Sequence, residues 1–149
     1  STVLRTLRVV NLQLLALPPD IGLLSSLQVL ALGSNRLSAL PESIVKLAAL
    51  HTLELGDNRL EALPEGFGEL TELQELDLSL NSLKALPESF GQLVALRRLN
   101  MSSNNLKTLP ESFGKLTGLR DLDLDKNRLE GLPGSFTQLT SLPKGWTYS

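Results

Sequence analysis

The chain has 149 residues, no Cys, and 14 Lys and Arg against 16 Asp and Glu, for a formal net charge of -2 and a pI near 5.4. The length suits one domain. The lack of Cys excludes a disulfide framework and thiolate metal sites, and the weak acidity argues against a general nucleic-acid binder. No uninterrupted apolar run approaches the ~20 residues that span a bilayer. The start, Ser1-Thr2-Val3-Leu4-Arg5, is not a signal peptide. A chain without disulfides favours a reducing compartment, so the expected localisation is cytoplasmic, or export from a bacterium.

One pattern occurs six times, with starts at residues 4, 27, 50, 73, 96 and 119. The first unit places Leu4, Leu7, Val9, Leu14, Leu17-Pro18, Ile21 and Leu24 in register, with Leu12 in a slot that later units fill with Asn. The second has Leu27, Leu30, Leu32, Asn35, Leu37, Leu40-Pro41, Ile44 and Leu47. From the third unit the residue after the Pro turn is Phe: Phe67, Phe90, Phe113 and Phe136, following Pro64, Pro87, Pro110 and Pro133. A seventh unit opens at Leu142 and fails at once, with Gly145 and Thr147 where Leu belongs. Residues 4–141 are therefore expected to form the repeat region, and 142–149 a degenerate C-terminal end or cap.

A 23-residue period with Leu-x-x-Leu-x-Leu-x-x-Asn-x-Leu resembles a leucine-rich repeat. The predicted fold is an α/β solenoid, a horseshoe with a concave parallel β-sheet and a convex side of 3-10 and polyproline-like turns. Each unit should contribute a short strand such as Glu75 to Ser79, with Leu76 and Leu78 pointing in and Glu75, Asp77 and Ser79 pointing out. Strands about 4.8 Å apart would build a curved sheet roughly 24 Å across. Proline lacks an N–H and biases the preceding Leu to extended backbone, so long helices are not expected on the return.

The Asn column (Asn35, Asn58, Asn81, Asn104, Asn127) follows from the sharp turn after each strand. That turn leaves backbone groups no ladder pairs, and a buried Asn can satisfy groups in its own coil and the next. The Phe column is read as core spine. At the C-terminus, Trp146 and Tyr148 either fold over the last coil or form a disordered tail. At the N-terminus no polar cap is evident, which would leave Leu4, Leu7, Val9, Leu12 and Leu14 open, although solenoids need capped ends. Either a partner copy covers that edge by self-association, or the chain is a fragment of something longer.

Little points to catalysis. His51 stands alone, without a nucleophile or paired carboxylate, and no Gly-rich phosphate loop follows a strand. Gly22, Gly68, Gly91 and Gly114 each follow the Ile or Phe and are assigned to the repeat turn. Asn100-Met101-Ser102 matches a glycosylation sequon, a motif common by chance. Carboxylates form the one suggestive cluster: Glu54, Glu75, Asp77, Asp121, Asp123 and Asp125 share the concave face with Arg8 and Arg98. A solvated polar face, a docking surface for a basic or mixed-charge protein, and a divalent-ion or catalytic acid site all fit that pattern. Leu80 breaks a column otherwise made of Asn11, Ser34, Asp57, Ser103 and Lys126, as an interface anchor would. Arg36, Arg59 and Arg128 follow the Asn of their units and could pair with Asp57 or Asp125.

The return Leu-Pro-x-x-Phe-Gly-x-Leu-x-x-Leu, from Leu86 to Leu96, is similar to that of the intracellular Ras-group leucine-rich repeat proteins. The resemblance covers Leu4 to Leu142. It implies a non-enzymatic module with no cofactor that binds a protein on its concave face, or the recognition region of a larger signalling enzyme or bacterial effector. Secreted members commonly close their ends with disulfide-bonded caps, which this chain cannot form. The candidate contact residues are Glu54, Glu75, Asp77, Leu80, Arg98, Asn100, Asp121 and Asp123, with no catalytic and no metal-ligating residue. The expected partner is a protein with a basic surface, not nucleic acid or membrane.

Overall fold

Leucines at alternate positions of each strand need a dry side, and a 23-residue return lets every coil supply one to its neighbour. The computed structural model, which describes residues 3–149, stacks six such coils. Strands β1 (Thr6–Arg8), β2 (Val29–Ala31), β3 (Thr52–Glu54), β4 (Glu75–Asp77), β5 (Arg98–Asn100) and β6 (Asp121–Asp123) form one parallel sheet in sequential order. Partners in neighbouring strands are 23 positions apart, as in Leu53↔Leu76↔Leu99. The strands have three residues where a longer Glu75-to-Ser79 strand was expected. Pairing does continue, with Leu78 N–H donating to the Asn100 carbonyl (2.7 Å) and Leu80 N–H to that of Ser102 (3.0 Å). The backbone meanwhile swings into the left-handed region at Leu80 (φ 55°), and this turn ends the strand.

The convex return carries six short 3-10 helices: η1 (Ile21–Leu23), η2 (Glu42–Lys46), η3 (Phe67–Glu69), η4 (Glu88–Gln92), η5 (Glu111–Lys115) and η6 (Gly134–Gln138). Pro41, Pro87, Pro110 and Pro133 enter their helices with polyproline-like backbone, for example φ -67° and ψ 153° at Pro87. The core is a stack of layers. Phe67, Phe90 and Phe113 are fully buried, and with Phe136 they form parallel rings whose centroids are 6.1 Å apart. Such offset stacking adds to the area each ring buries.

The Asn column is a hydrogen-bond ladder, but each rung reaches the preceding coil, not the following one. Asn81 Oδ1 accepts from Leu60 N–H (2.9 Å), while its Nδ2 donates to the carbonyls of Leu55 (3.0 Å) and Leu78 (3.1 Å). Asn35, Asn58, Asn104 and Asn127 repeat the arrangement. In the first slot Leu12 makes no such side-chain bond. The side chain of Asn35 instead ties down the Leu12 and Leu14 amides (3.2 and 3.0 Å).

A second ladder runs along the convex side. Ser43, Ser89, Ser112 and Ser135 each donate Oγ–H to a carbonyl of the preceding coil and accept from Gly22, Gly68, Gly91 and Gly114 N–H. The glycines were assigned to turns on conformational grounds; their reason is steric. A Cβ at Gly22, Gly68, Gly91 or Gly114 would run into the Ser carbonyl of the next coil. Between the second and third coils both partners are replaced together. Val45 stands in the Gly column and Gly66 in the Ser column, with a Val45 methyl 4.0 Å from where a Gly66 Cβ would lie.

The ends resolve differently. Trp146 folds over the last coil, packing on Phe136 (5.4 Å between centroids), and donates its indole N–H to the Leu122 carbonyl (2.7 Å). Ser149 continues the edge by accepting from Lys126 N–H (2.6 Å), so residues 142–149 lie against the sixth coil. At the other end Leu4 and Leu12 are exposed while Leu7, Val9 and Leu14 are partly buried.

Two stability measurements test these ladders. Asn81→Leu orphans buried groups in two coils and should cost about 3 kcal/mol in urea unfolding; an unchanged midpoint would remove the Asn ladder from the account. Gly68→Ala should destabilise by about 2 kcal/mol through overpacking. Gly66→Ala should be neutral or slightly stabilising, since its Cβ meets mainly the flexible end of Glu69.

Candidate binding surface on the concave face

Parallel pairing at constant register turns each sequence column into a row of side chains across the sheet. Glu75↔Arg98↔Asp121 form one row and Glu54↔Asp77↔Asn100↔Asp123 the next. The curvature folds these rows around a trough of about 500 Å³. Glu54, Glu75, Asp77, Arg98, Asn100, Asp121 and Asp123 all line it, together with Thr52, Arg120, Pro143 and Trp146. Leu80 is not in the lining; it stands 56 % exposed on the turn beyond β4. Asp125 is also outside the trough, where its Oδ1 accepts from Ser149 N–H (3.0 Å).

Of the lining residues, Arg120, Pro143 and Trp146 escaped the sequence reading. Arg120 precedes its strand by one residue, outside the alternating set, yet it lines the trough. Pro143 and Trp146 belong to the degenerate seventh unit, and the cap makes them the wall at the C-terminal end of the trough.

Five carboxylates face two guanidinium groups across this lining. Arg98 Nε and Asp121 Oδ2 are 3.2 Å apart, with both side chains about two-thirds exposed (67 and 66 %), so water and salt screen the pair. It is the only salt bridge among the described residues. The expected pairing of Arg36, Arg59 and Arg128 with Asp57 or Asp125 does not form.

The middle row has a second duty. Asp77 Oδ1 accepts from Ser79 N–H (2.9 Å) and Ser79 Oγ (2.6 Å), and Asn100 Oδ1 does the same with Ser102 (3.0 and 2.8 Å). Asp123 Oδ1 holds Asp125 N–H (3.0 Å). Each side chain thus braces the bend that ends its strand, and a side-chain amide does so as well as a carboxylate. Gly56 leaves room for this, since a Cβ there would lie 3.0 Å from Asp77 Oδ2. The bend therefore does not require the charges of Asp77 and Asp123. His51 is partly buried, with Nδ1 3.3 Å from Thr52 Oγ1, and lies outside the trough. No group of three or more His, Asp or Glu among the described residues is placed to hold a metal ion. No helix among them is long and apolar enough to cross a membrane.

A family model described as a leucine-rich repeat region matches residues 2–86, and a second, for the leucine-rich repeat, matches 95–116 and 118–139. The chain belongs to the leucine-rich repeat family. Among solved structures it is similar to the leucine-rich repeat ectodomain of the receptor kinase SOBIR1 from Arabidopsis thaliana. That match has 32 % identity and a TM-score of 0.76, and covers 86 % of this chain and 73 % of that one. PEPR1–AtPEP1 gives 32 % identity and a TM-score of 0.81, over 93 % of this chain and 20 % of that one. A leucine-rich repeat protein of Leptospira interrogans is 29 % identical at a TM-score of 0.49, and this chain spans 47 % of its length. No curated protein matches the sequence. Leucine-rich repeat domains are in general non-enzymatic modules for protein–protein interaction, and this chain carries that architecture.

The bracing role of the middle row predicts a split between two substitutions. Asp77→Asn should leave the melting temperature unchanged, as Asn100 already shows the amide in that place. Asp77→Ala should lose about 1 kcal/mol with its turn hydrogen bonds, read by thermal unfolding monitored by circular dichroism. Equal stability of the two variants would contradict the bracing.

Proposed function

We propose that the chain is a non-enzymatic binding module whose concave trough takes a segment of a protein partner presenting basic groups. The observation that carries this reading is the trough itself: an open concave surface of about 500 Å³ with five carboxylates and one exposed, screened ion pair. An excess of one charge sign in a concavity steers an oppositely charged partner and sets its register. PEPR1–AtPEP1 pairs a protein of similar fold with AtPEP1, which supports a protein ligand for the architecture. The likeness to a receptor kinase ectodomain favours a second reading, in which the chain is the recognition region of a larger signalling enzyme or effector. Cytoplasmic placement remains part of the proposal, tested by fractionation of the native cells. The exposed Leu4, Leu12, Leu15 and Leu23 around the first coil also support self-association through that edge, which concentration-dependent sedimentation would reveal.

Leu80 belongs to the same proposal. Its column sits in left-handed backbone in every coil, at Asn11, Ser34, Asp57, Ser103 and Lys126 as well, with φ between 55° and 59°. Leu is the one apolar residue among them, and a non-glycine residue there carries roughly 1–2 kcal/mol of strain that Asn eases. An exposed Leu held at that cost fits an anchor for a ligand crossing the rim.

The test is an affinity pulldown from native lysate, comparing the wild-type chain with Asp77→Asn/Asp123→Asn. These changes remove charge and keep the turn hydrogen bonds. A basic partner should be retained by the wild type and lost, or weakened about tenfold, in the variant. Full retention would move the interface off this face. Leu80→Asn should raise stability and lower binding together; a rise in stability with unchanged binding would remove Leu80 from the interface.

A further inference from the structure

A second concavity lies on the edge of the solenoid, past the turn that follows the strands. Lys84, Asn105, Lys107 and Arg128 line an open concavity of about 420 Å³. They come from three successive coils. Asn105 and Arg128 occupy the position after the ladder Asn, while Lys84 and Lys107 stand two positions further on. Inter-coil bonds hold this spacing: Asn105 N–H donates to the Leu83 carbonyl and Arg128 N–H to that of Leu106 (both 2.9 Å). Leu106 N–H is held in turn by Asn127 Oδ1 (3.1 Å). All three cations are exposed, and none takes part in a salt bridge. Glu61 in the third coil and Glu130 in the sixth occupy the Lys column, and Glu130, two residues from Arg128, donates its N–H to the Lys107 carbonyl (3.1 Å), so a carboxylate residue borders the positive charge on each side. In a chain of net charge -2, three unpaired cations around one concavity are a local feature and not a by-product of composition.

We propose that this pocket binds a phosphoryl group carried on a peptide segment of a protein partner. The donor set has the chemistry such a dianion requires. The Arg128 fork offers paired N–H donors, Lys84 and Lys107 supply point charges, and the Asn105 amide adds a neutral donor. A carboxylate has half the charge and one oxygen fewer to share among them. The peptide carrier follows from placement, because the fifth coil runs directly from Asn100 in the trough to Lys107 in the pocket. The choice of a peptide carrier rests on the concave-face reading, whereas phosphoryl recognition does not, since the pocket shares no lining residue with the trough.

The experiment is a nuclear magnetic resonance titration of the full chain with four probes: a short phosphoserine peptide, the same peptide with Ser, the same with Glu, and inorganic phosphate. The phosphoserine peptide should shift the Asn105, Lys107 and Arg128 signals saturably and bind about tenfold more tightly than the Glu peptide. Its affinity should fall as the pH drops below about 6, where the phosphate loses its second charge. Lys84→Ala/Lys107→Ala/Arg128→Ala should abolish the shifts with an unchanged melting temperature. Four results would overturn the proposal: equal binding of the Glu peptide, tighter binding of inorganic phosphate than of the phosphopeptide, shifts that survive in the triple variant, or no shift with any probe.

Discussion

Everything in this molecule depends on one constraint, the identity of register between neighbouring coils. A coil with three strand residues and a short 3-10 turn cannot bury its own leucines or pair its own backbone. It becomes stable when the next coil arrives 23 residues later with the same groups at the same height. The Asn ladder enforces that height on the strand side, because each amide is bonded both within its own coil and to the one before. The Ser–Gly ladder enforces it on the convex side, where the glycines let the next backbone approach within hydrogen-bonding reach of the serine. Between them the rings of Phe67, Phe90, Phe113 and Phe136 fill the gap at a uniform 6.1 Å. Among the described residues, no buried side-chain nitrogen or oxygen lacks a partner, as expected of layers held in step from both sides.

How much of this was legible in the sequence follows from which residues are periodic. The buried positions repeat without ambiguity, so the strands, their faces, the polyproline entry to the turns and the Asn column could all be read from spacing. The direction of the Asn rungs could not, because a 23-residue period is the same read forwards or backwards. The Ser–Gly ladder was half visible. The glycines were noted, but a conformational reason was assigned where a steric one applies. The stronger signal was the joint departure of Val45 and Gly66, two residues in different coils that change together because they would have formed one rung. The strand is shorter than the alternation, which continues through Ser79, since the regular strand stops at Asp77 and the Asp77 carboxylate takes the Ser79 N–H.

The candidate surface was legible in its rows and not in its ends. Side chains that alternate with the core leucines fall on the concave face by necessity, which brought seven of the candidate residues together in one trough. Its wall came from Pro143 and Trp146, in a unit that reads as decay. The same Trp that ends the repeat pattern satisfies the Leu122 carbonyl with its indole and extends the aromatic stack by one ring. A broad ring with one polar edge can cover a layer and bond its strand edge at once, as Trp146 does on the sixth coil.

The two charged concavities divide the solenoid by sign. The strand rows expose carboxylates to the trough, while the positions after the turn expose Lys84, Lys107 and Arg128 to the edge. Both surfaces are built from positions the repeat leaves free, and both are held at fixed spacing by positions it does not. Asp77, Asn100 and Asp123 show where the two sets meet, since one oxygen braces the bend and the rest of the group faces the trough. An amide meets the structural demand as well as a carboxylate does, as Asn100 shows. The bend therefore does not require the carboxylates on either side of it.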